Sequence, residues 1–186
     1  TRTGPIQITT TNKHNEPLLA DRLTPGWRWL FWLALPTVSS ILLLAITNQL
    51  CQDVASVPFL WIMPLGVYLI SFVLCFAEFQ WYRRSMVLSL AMLSTIGLLS
   101  ALYFGSKIAL PWQIVIYTLG LFFCCMICHG ELFRLRPQPQ DLTAYYLAIA
   151  TGGVLGGVFV ALIAPVVFPQ YFEFHLGLWA CFALVY

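Results

Sequence analysis

The sequence predicts an all-α protein, a polytopic transmembrane helical bundle with its N-terminus in the cytoplasm. Hydrophobic residues make up 60% of the chain and charged residues only 9%, whereas a soluble domain carries about 25% charged residues. Five apolar runs each approach the length of about 20 residues that crosses a hydrocarbon core. The basic residues fall on alternate connections between these runs. The chain is therefore expected to be an integral membrane protein.

We predict five complete spans, over residues 29–48, 57–77, 86–104, 110–128 and 142–164, and a truncated sixth that begins near residue 176. Residues 1–26 are predicted to be a flexible cytoplasmic N-terminal segment, and residues 27–186 the transmembrane helical domain. The N-terminal segment has no apolar core or cleavage site of a signal peptide. Because the initiator Met is missing and the last helix is incomplete, we expect the chain to be a piece of a longer protein.

Basic and aromatic residues predict how the spans lie in the membrane. With a cytoplasmic N-terminus and alternating spans, Lys107 is the one basic residue on the outer side. The cytoplasmic side then holds Arg2, Lys13, Arg22, Arg28, Arg83, Arg84, Arg134 and Arg136. This distribution follows the positive-inside rule, and Trp and Tyr near span ends are typical of interfacial residues. The Trp and Tyr residues near the predicted span ends are Trp27, Trp29, Trp81, Tyr82, Trp112, Tyr145 and Tyr171. We expect a multi-pass protein of a bacterial inner (plasma) membrane.

Prolines predict bends in the first two spans. In span 1, Pro36 is followed by Thr37, Ser39 and Ser40. Proline leaves a backbone carbonyl without its helical donor, and nearby hydroxyls can bond that carbonyl, so we expect a kink. Pro64 lies inside span 2 and is expected to bend it as well.

Span 5 carries the clearest packing pattern of the chain. Small residues recur every four positions in two overlapping rows on adjacent faces of the predicted helix. One row is Ala148, Gly152 and Gly156, and the other is Gly153, Gly157 and Ala161. Such rows let helix backbones approach closely in lipid. We expect span 5 to lie at the centre of the bundle or at a contact with another membrane subunit.

Polar residues near the outer ends of spans 1 and 6 define a second candidate site. They are Asn48, Gln49, Asp53, Glu173 and His175. An ionisable residue within a membrane is a functional hypothesis by default, and a carboxylate with an imidazole could relay protons. The simpler interpretation, which we favour for Asp53, is a loop or helix-capping residue in the headgroup region.

The cytoplasmic connection after span 4 contains Glu131, Arg134 and Arg136. Glu131 and Arg134 are spaced as an i,i+3 ion pair. A helical extension with surface ion pairs is the favoured interpretation, and a docking surface for a soluble domain is the alternative.

Cys125, Cys128 and His129 match the C-x-x-C-H pattern of c-type haem attachment. The predicted topology places the motif at the cytoplasmic end of span 4, whereas c-type haem is attached on the outer side. Cysteine also packs as a small apolar residue. We therefore favour packing over haem attachment or a metal cluster that includes Cys124, and we predict no cofactor, no metal and no catalytic residues.

Two long stretches resemble one known family. They are TNQLCQDVASVPFLWIMPLGVYLISFVLCF (residues 47–76) and CHGELFRLRPQPQDLTAYYLAIATGGVLGGVFVALIAPVVF (residues 128–168). Both resemble the membrane region of bacterial spermidine synthase-like membrane proteins, which are described as fused transporter-like and spermidine synthase proteins. The pattern CHGEL-x-RLRP followed by LT-x-YYL is the most specific part of the resemblance.

The resemblance implies a multi-span bundle joined to a cytoplasmic aminopropyltransferase-like α/β domain. In true enzymes that domain binds decarboxylated S-adenosylmethionine. The present chain contains neither the earlier spans expected before Trp27 nor a Rossmann-like domain after Tyr186. None of the family's catalytic residues can therefore be assigned to positions in this sequence.

These observations favour a non-catalytic membrane module, a scaffold or accessory subunit that contacts other membrane helices through span 5. One alternative is the membrane anchor of an aminopropyltransferase-like enzyme. The other is a small-solute transporter, or part of one, built around helices broken by proline. The expected partners are the lipid bilayer, other membrane subunits and a cytoplasmic soluble domain. The net charge of +2 and the lack of a basic stripe give no indication of nucleic-acid binding.

Overall fold

The computed structural model describes residues 25–54, 58–77, 83–104, 107–167 and 172–185, whose regular elements are all helices. The predicted all-α class is thereby confirmed. The helices are α1 (Pro25–Val54), α2 (Pro58–Phe76), α3 (Arg84–Phe104), α4 (Leu110–Arg134), α5 (Leu142–Val158), α6 (Ala164–Val167) and α7 (Phe172–Val185). A 3₁₀ turn at Pro139–Asp141 precedes α5, and a π-helical stretch at Phe159–Ile163 joins α5 to α6.

Four helical runs in the described chain are long and apolar enough to cross a membrane. They are Gly26–Cys51, Arg84–Phe104, Leu110–Arg134 and Pro139–Val167. Two further apolar helices, Leu60–Phe76 and Phe174–Val185, are shorter. The chain is therefore a helical membrane protein, while the predicted count of five complete spans and the cytoplasmic N-terminus stay predictions.

Two helices continue beyond the predicted apolar spans. Helix α1 continues to Val54, so the polar residues Asn48 and Gln49 both lie within it. Helix α4 continues to Arg134, six residues beyond the span that ends at residue 128, which confirms the predicted helical extension with Glu131 and Arg134. In both cases the apolar run ends before the helix does, because a helix can continue with polar side chains once it reaches the membrane surface.

Helix α1 is the centre of the bundle. It packs against α2, α4, α5 and α7, whereas α3 packs mainly against α4. Its buried side chains therefore point in several directions rather than along one stripe. A helix that is apolar all round is typical of the interior of a bundle. The buried α1 side chains are Trp32, Leu35, Val38, Ser39, Ile41, Leu42, Ala45, Ile46 and Leu50.

Two aromatic side chains bind the C-terminal end of α4. The Trp32 Nε1–H of α1 donates to the Leu135 carbonyl at 3.0 Å, and the Tyr145 hydroxyl of α5 donates to the Leu132 carbonyl at 2.8 Å. The last carbonyls of a helix have no donor within the helix itself. Because Trp32 and Tyr145 supply the missing donors and their rings meet edge to face at 5.3 Å, they join α1, α4 and α5 at one end of the bundle.

The arginines of the described residues gather at this same end. Arg28 of α1 pairs with Asp141, just before α5, at 3.6 Å, and Arg84 of α3 pairs with Glu131 of α4 at 3.0 Å. Lys107 lies at the opposite end, just before α4 begins. The separation of basic residues that the sequence predicted along the chain is therefore also a separation in space.

The fifth predicted span, residues 142–164, is not a regular α-helix throughout. Pro165 lies within α6, and the five residues Phe159–Ile163 before it are π-helical. Proline has no N–H to donate to the carbonyl four residues earlier, at Ala161, and its ring crowds that carbonyl. A π-bulge is one of the ways in which a helix accommodates such an interruption.

Replacement of Trp32 by Phe is predicted to lower the free energy of unfolding by about 1–3 kcal/mol, the cost of leaving the buried Leu135 carbonyl without a donor. Unfolding by a chemical denaturant in detergent micelles measures this change. Trp29→Phe is the matched control, because Trp29 is 46% exposed, and its unfolding should be nearly that of the parent protein. Equal losses in the two variants would contradict the capping role of Trp32.

Candidate functional site

Helix α5 contacts α1 through two glycines of the first predicted row. A Cβ atom built on Gly152 would lie 2.5 Å from the Leu33 carbonyl oxygen, and one on Gly156 would lie 2.5 Å from the Thr37 carbonyl oxygen. Any larger residue would therefore force the helices apart. In glycine a Cα hydrogen takes this place, and Cα–H···O contacts recur between closely packed helices. Ala148, one turn earlier, is buried as well.

Hydroxyl groups of α1 bond to backbone carbonyls of α5 at this contact. The Thr37 hydroxyl lies 2.9 Å from the Gly152 carbonyl oxygen and 2.7 Å from the Leu33 carbonyl oxygen, so its one hydrogen is shared between the two helices. The Ser40 hydroxyl donates to the Gly153 carbonyl at 3.0 Å. These bonds are possible because the glycines let the backbones come so close. We call the contact the α1–α5 glycine seam.

The hydroxyls near Pro36 have a wider role than the sequence predicted. They were expected to bond the carbonyl that Pro36 leaves without its helical donor, which is that of Trp32. The Ser39 hydroxyl donates instead to the Pro36 carbonyl at 3.0 Å. Ser40, by contrast, reaches across to α5, and Thr37 serves both helices. The polar residues after the proline therefore help to hold two helices together.

The second predicted row faces away from the rest of the described bundle. A Cβ atom on Gly153 or Gly157 would lie within 4 Å only of its chain neighbours and of the nearby backbone of its own helix. Ala161, in the π-helical stretch, is exposed. The two rows thus have different environments, since Ala148, Gly152 and Gly156 face α1 while Gly153, Gly157 and Ala161 do not. We call the second row the open glycine face of α5.

Within the predicted docking group, Glu131 is engaged inside the bundle. Its carboxylate accepts from Arg134 Nη1 at 2.9 and 3.0 Å and pairs with Arg84 Nε at 3.0 Å. The Glu131 side chain is only 12% exposed. Arg84 also donates through Nη2 to the Val185 carbonyl at the end of α7, at 2.8 Å. Glu131 and Arg84 together therefore connect α3, α4 and α7.

Arg136 differs from the other two members of this group, because it is exposed. Its guanidinium carbon lies 5.0 Å from the centroid of the Phe133 ring, within the range of a cation–π contact. The ring holds the arginine at the surface of the arginine-rich end of the bundle.

The structure describes three of the five side chains in the predicted outer polar pocket. Asn48 is exposed and Gln49 half-buried near the end of α1, and His175 is exposed on the first turn of α7. The side chains of Asp53 and Glu173 lie outside the described residues. This pocket stays a prediction.

The C-x-x-C-H motif lies entirely within α4, and its three side chains are buried. The Cys128 sulfur is 3.5 Å from the Cys181 sulfur of α7, so the thiols lie where α4 and α7 pack together. Over the described residues, no group of three or more His, Cys, Asp or Glu side chains is arranged to hold a metal ion.

The most unusual buried group in the described chain is His129, which is 1% exposed. Its Nδ1 atom lies 3.0 Å from the Ser71 hydroxyl of α2. The rings of Tyr68 and Phe72 meet the imidazole edge to face, with centroids 4.9 and 5.2 Å away. An ionisable side chain is thus enclosed by two aromatic rings and one hydroxyl at the contact between α2 and α4.

The hydrogen bonds around Ser71 determine which nitrogen of His129 carries the proton. The Ser71 hydroxyl also lies 2.7 Å from the Tyr68 carbonyl oxygen, which can only accept. Both contacts are hydrogen bonds at once only in the tautomer in which Ser71 donates to Tyr68 and His129 Nδ1 donates to Ser71, which leaves a lone pair on Nε2 of the neutral ring. Nε2 is buried without a hydrogen-bond partner in the described chain. A buried polar atom in this state costs about 1–3 kcal/mol, and an intramembrane ionisable group suggests a function by default.

Comparisons of this chain with protein-family models, with curated proteins and with solved structures give no match. The resemblance to spermidine synthase-like membrane proteins therefore stays a prediction from the two quoted stretches.

The Ser71–His129 pair and the close approach of α3 to α4 were not predicted from the sequence. The first joins residues 58 positions apart, and its only signal was one polar residue within an apolar run and another directly after one. The second depends on Gly120, where a Cβ atom would collide with the Leu98 side chain. Here a signal was present, because Gly120, Cys124 and Cys128 form a small-residue row with the same four-residue spacing as in span 5.

Replacement of Ser71 by Ala is predicted to cost about 1–3 kcal/mol of unfolding free energy, because it leaves the His129 Nδ1–H without an acceptor. The same substitution should cost less in a His129→Leu background, where no ring donor remains. A double-mutant cycle, measured by unfolding in micelles, gives the coupling energy.

Ser89→Ala is the control for this cycle, because Ser89 is exposed and bonds only the Ser85 carbonyl of its own helix among the contacts described. Its effect should be small and unchanged by His129→Leu. Strict additivity of Ser71→Ala and His129→Leu would show that the two side chains do not interact as described.

Proposed function

We propose that this chain is a non-catalytic integral membrane module that serves as a scaffold or accessory subunit of a larger membrane complex. In this proposal it is a multi-pass protein of a bacterial inner membrane with its N-terminus in the cytoplasm. The observation that supports the proposal most strongly is the open glycine face of α5. The arginine-rich end of the bundle, with Lys107 at the other end, supports the orientation.

The open glycine face has no packing role within the described bundle. Glycine inside a helix is less favourable than alanine by about 1 kcal/mol. At Gly152 and Gly156 the close contact with α1 offsets this cost. At Gly153 and Gly157, by contrast, no neighbouring atom of the described chain lies within 4 Å of the position that a Cβ would take. In lipid, where helices gain no hydrophobic free energy by associating, small residues favour association because they allow close backbone contact. A helix of another subunit would give the second pair of glycines the role that the first pair has with α1.

The neighbours of these glycines suit a contact with an apolar helix. Val154, Leu155 and Val158 are exposed large side chains close to Gly153 and Gly157 along α5. Of the long helices, α1 is the one against which α5 packs most closely. Much of the α5 surface is therefore not covered by other helices of the described chain. Ridges of valine and leucine beside a glycine groove would pack against a partner helix in the manner of ridges into grooves.

A second candidate is the membrane anchor of an aminopropyltransferase-like enzyme, the function that the sequence resemblance implies. The exposed Arg136, at the end of the bundle where the other described arginines lie, favours it. Such an anchor would present this end to a soluble domain. Arg136→Glu should then release that domain in a co-purification experiment, whereas the open glycine face would be dispensable.

A third candidate, a small-solute transporter or part of one, is favoured by the Ser71–His129 pair. Ionisable groups that face a bundle interior occur in proton-coupled carriers. Uptake by proteoliposomes that disappears in His129→Leu and persists in Ser89→Ala would favour this candidate over the scaffold.

The scaffold proposal predicts opposite outcomes for leucine substitutions on the two faces of α5. Gly153→Leu with Gly157→Leu should leave the isolated chain folded, since nothing lies within 4 Å of either Cβ, but should abolish binding of partner subunits. Native mass spectrometry after gentle extraction from the source membrane reports both the folded chain and its companions.

Gly152→Leu with Gly156→Leu is the comparison variant, and it should lower the thermal stability of the chain itself by separating α1 from α5. Retention of all companions by the Gly153→Leu, Gly157→Leu variant would overturn the role of the open glycine face. A parent chain that runs without any companion would overturn the scaffold proposal as a whole.

A further inference from the structure

The arginine-rich end of the bundle carries a local excess of positive charge. Arg83 and Arg84 lie at the start of α3, and Arg134 and Arg136 at the end of α4. Glu131 is the acidic residue that pairs with them, at the distances already given. With Arg28 and Asp141 at the same end, five described guanidinium groups against two described carboxylates leave a net charge of +3 (5 − 2). Arg83 and Arg136 are exposed, and the Arg84 side chain is 51% exposed.

An apolar groove lies further along α3 and α7. Between it and the arginines, Val87 and Ala91 of α3, Ile127 of α4 and Val185 of α7 form a small buried cluster. Beyond this cluster the groove has a volume of about 460 Å³. Its lining is Thr95 and Leu99 of α3 and His175, Leu178, Trp179, Phe182 and Ala183 of α7.

One hydrogen bond connects the charged surface with the groove. Arg84 Nη2 donates to the Val185 carbonyl at the end of α7. Phe182 and Ala183 in the groove wall lie within one helical turn, about 5.4 Å, of Val185. On α3 the groove begins at Thr95, about 16 Å along the helix from Arg84. The arginines therefore lie beyond one end of the groove, as the headgroup of a lipid lies at one end of its acyl chains.

We propose that the junction of α3 and α7 binds one anionic phospholipid. Its phosphate would lie on Arg83 and Arg84, and one of its acyl chains would lie in the groove. The guanidinium group matches phosphate oxygens through paired N–H donors, and Arg84 keeps further N–H groups after its bonds through Nε and Nη2, because arginine has five. Basic pockets between transmembrane helices are known to bind anionic headgroups. This inference does not depend on the scaffold proposal.

The size of the groove favours an acyl chain over a helix as its occupant. A helix about 10 Å across and about 15 Å long, the length of ten residues, fills roughly 1,200 Å³. The groove is less than half as large, at about 460 Å³. A single hydrocarbon chain is much narrower and can follow the space between Leu99 and Trp179. Aromatic and aliphatic side chains line most of the groove, so its occupant needs no polar groups along most of the groove's length.

Lipid selectivity measured by electron paramagnetic resonance tests the proposal. The full chain is placed in phosphatidylcholine nanodiscs that contain a trace of spin-labelled phosphatidylglycerol or, in parallel, spin-labelled phosphatidylcholine with the same chains. The immobilised fraction of the label should be larger for phosphatidylglycerol. Arg83→Gln should weaken this preference about fivefold, since one basic residue near a membrane surface contributes about that factor. Lys107→Gln, at the other end of the bundle, should not change it.

A second pair of variants separates a built site from general attraction of anionic lipids. Leu99→Trp fills the groove and should abolish the immobilised fraction although every arginine is present. Leu93→Trp, at an exposed position of α3 outside the groove lining, should retain it. Excess soluble glycerol phosphate should not displace the labelled lipid, because it lacks the acyl chain.

Equal immobilisation of the two labelled lipids would overturn the proposal. A preference that survives Leu99→Trp would also overturn it, because charge alone would then account for the binding. Displacement of the label by glycerol phosphate would assign the arginines to free phosphate compounds instead. Co-purification of a polypeptide that protects Trp179 and Phe182 from labelling would assign the groove to a protein.

Discussion

The hydroxyls of Thr37 and Ser40 in α1 reach the backbone carbonyls of Gly152 and Gly153 in α5, which is possible only when two helix backbones nearly touch. Close contact of this kind requires residues without a Cβ at the crossing, and Gly152 and Gly156 supply them. Lipid offers no hydrophobic reason for helices to associate. The position of α5 on the bundle therefore depends on packing and hydrogen bonding along this seam.

A second constraint operates at the arginine-rich end, where α4 must satisfy its last carbonyls. Trp32 of α1 and Tyr145 of α5 donate to carbonyls at this end of α4. Arg84 of α3 pairs with Glu131 of α4 and donates to the Val185 carbonyl of α7. These bonds together fix the relative positions of α1, α3, α4, α5 and α7.

Much of the architecture could be predicted from the sequence because apolar length and charge distribution are local properties. The helices, their approximate positions and the small-residue rows all follow from spacing along the chain. Which row faces which neighbour could not be predicted, because spacing identifies a face of a helix but not what lies opposite to it. Gly152 and Gly153 are adjacent in sequence, yet a Cβ atom on Gly152 would collide with α1, whereas one on Gly153 would meet no neighbouring atom of the described chain within 4 Å.

Residues with two common environments were the hardest to predict. Tyr145 was expected near a span end, at the membrane interface where tyrosine is frequent, and it lies in the first turn of α5, fully buried with its hydroxyl bonded to the Leu132 carbonyl. The burial could not be predicted, because the end of α4 offers inside the bundle the same kind of polar partner that headgroups offer outside it. His129 was considered only as part of a cysteine motif, because its partner Ser71 lies in another helix, 58 residues earlier in the chain.

The most direct test of the central role of the α1–α5 glycine seam is a double-mutant cycle of Thr37→Val and Gly152→Ala, with unfolding measured in bicelles. Thr37→Val removes the hydroxyl but keeps the branched shape, and interhelical hydrogen bonds in membranes contribute about 0.6 kcal/mol on average and up to about 1.7. We expect a loss in that range for Thr37→Val alone and almost none in the Gly152→Ala background, where the added methyl group moves the carbonyl out of reach. An unchanged effect of Thr37→Val in both backgrounds would contradict the account, because the hydroxyl would then not depend on the close approach of α5.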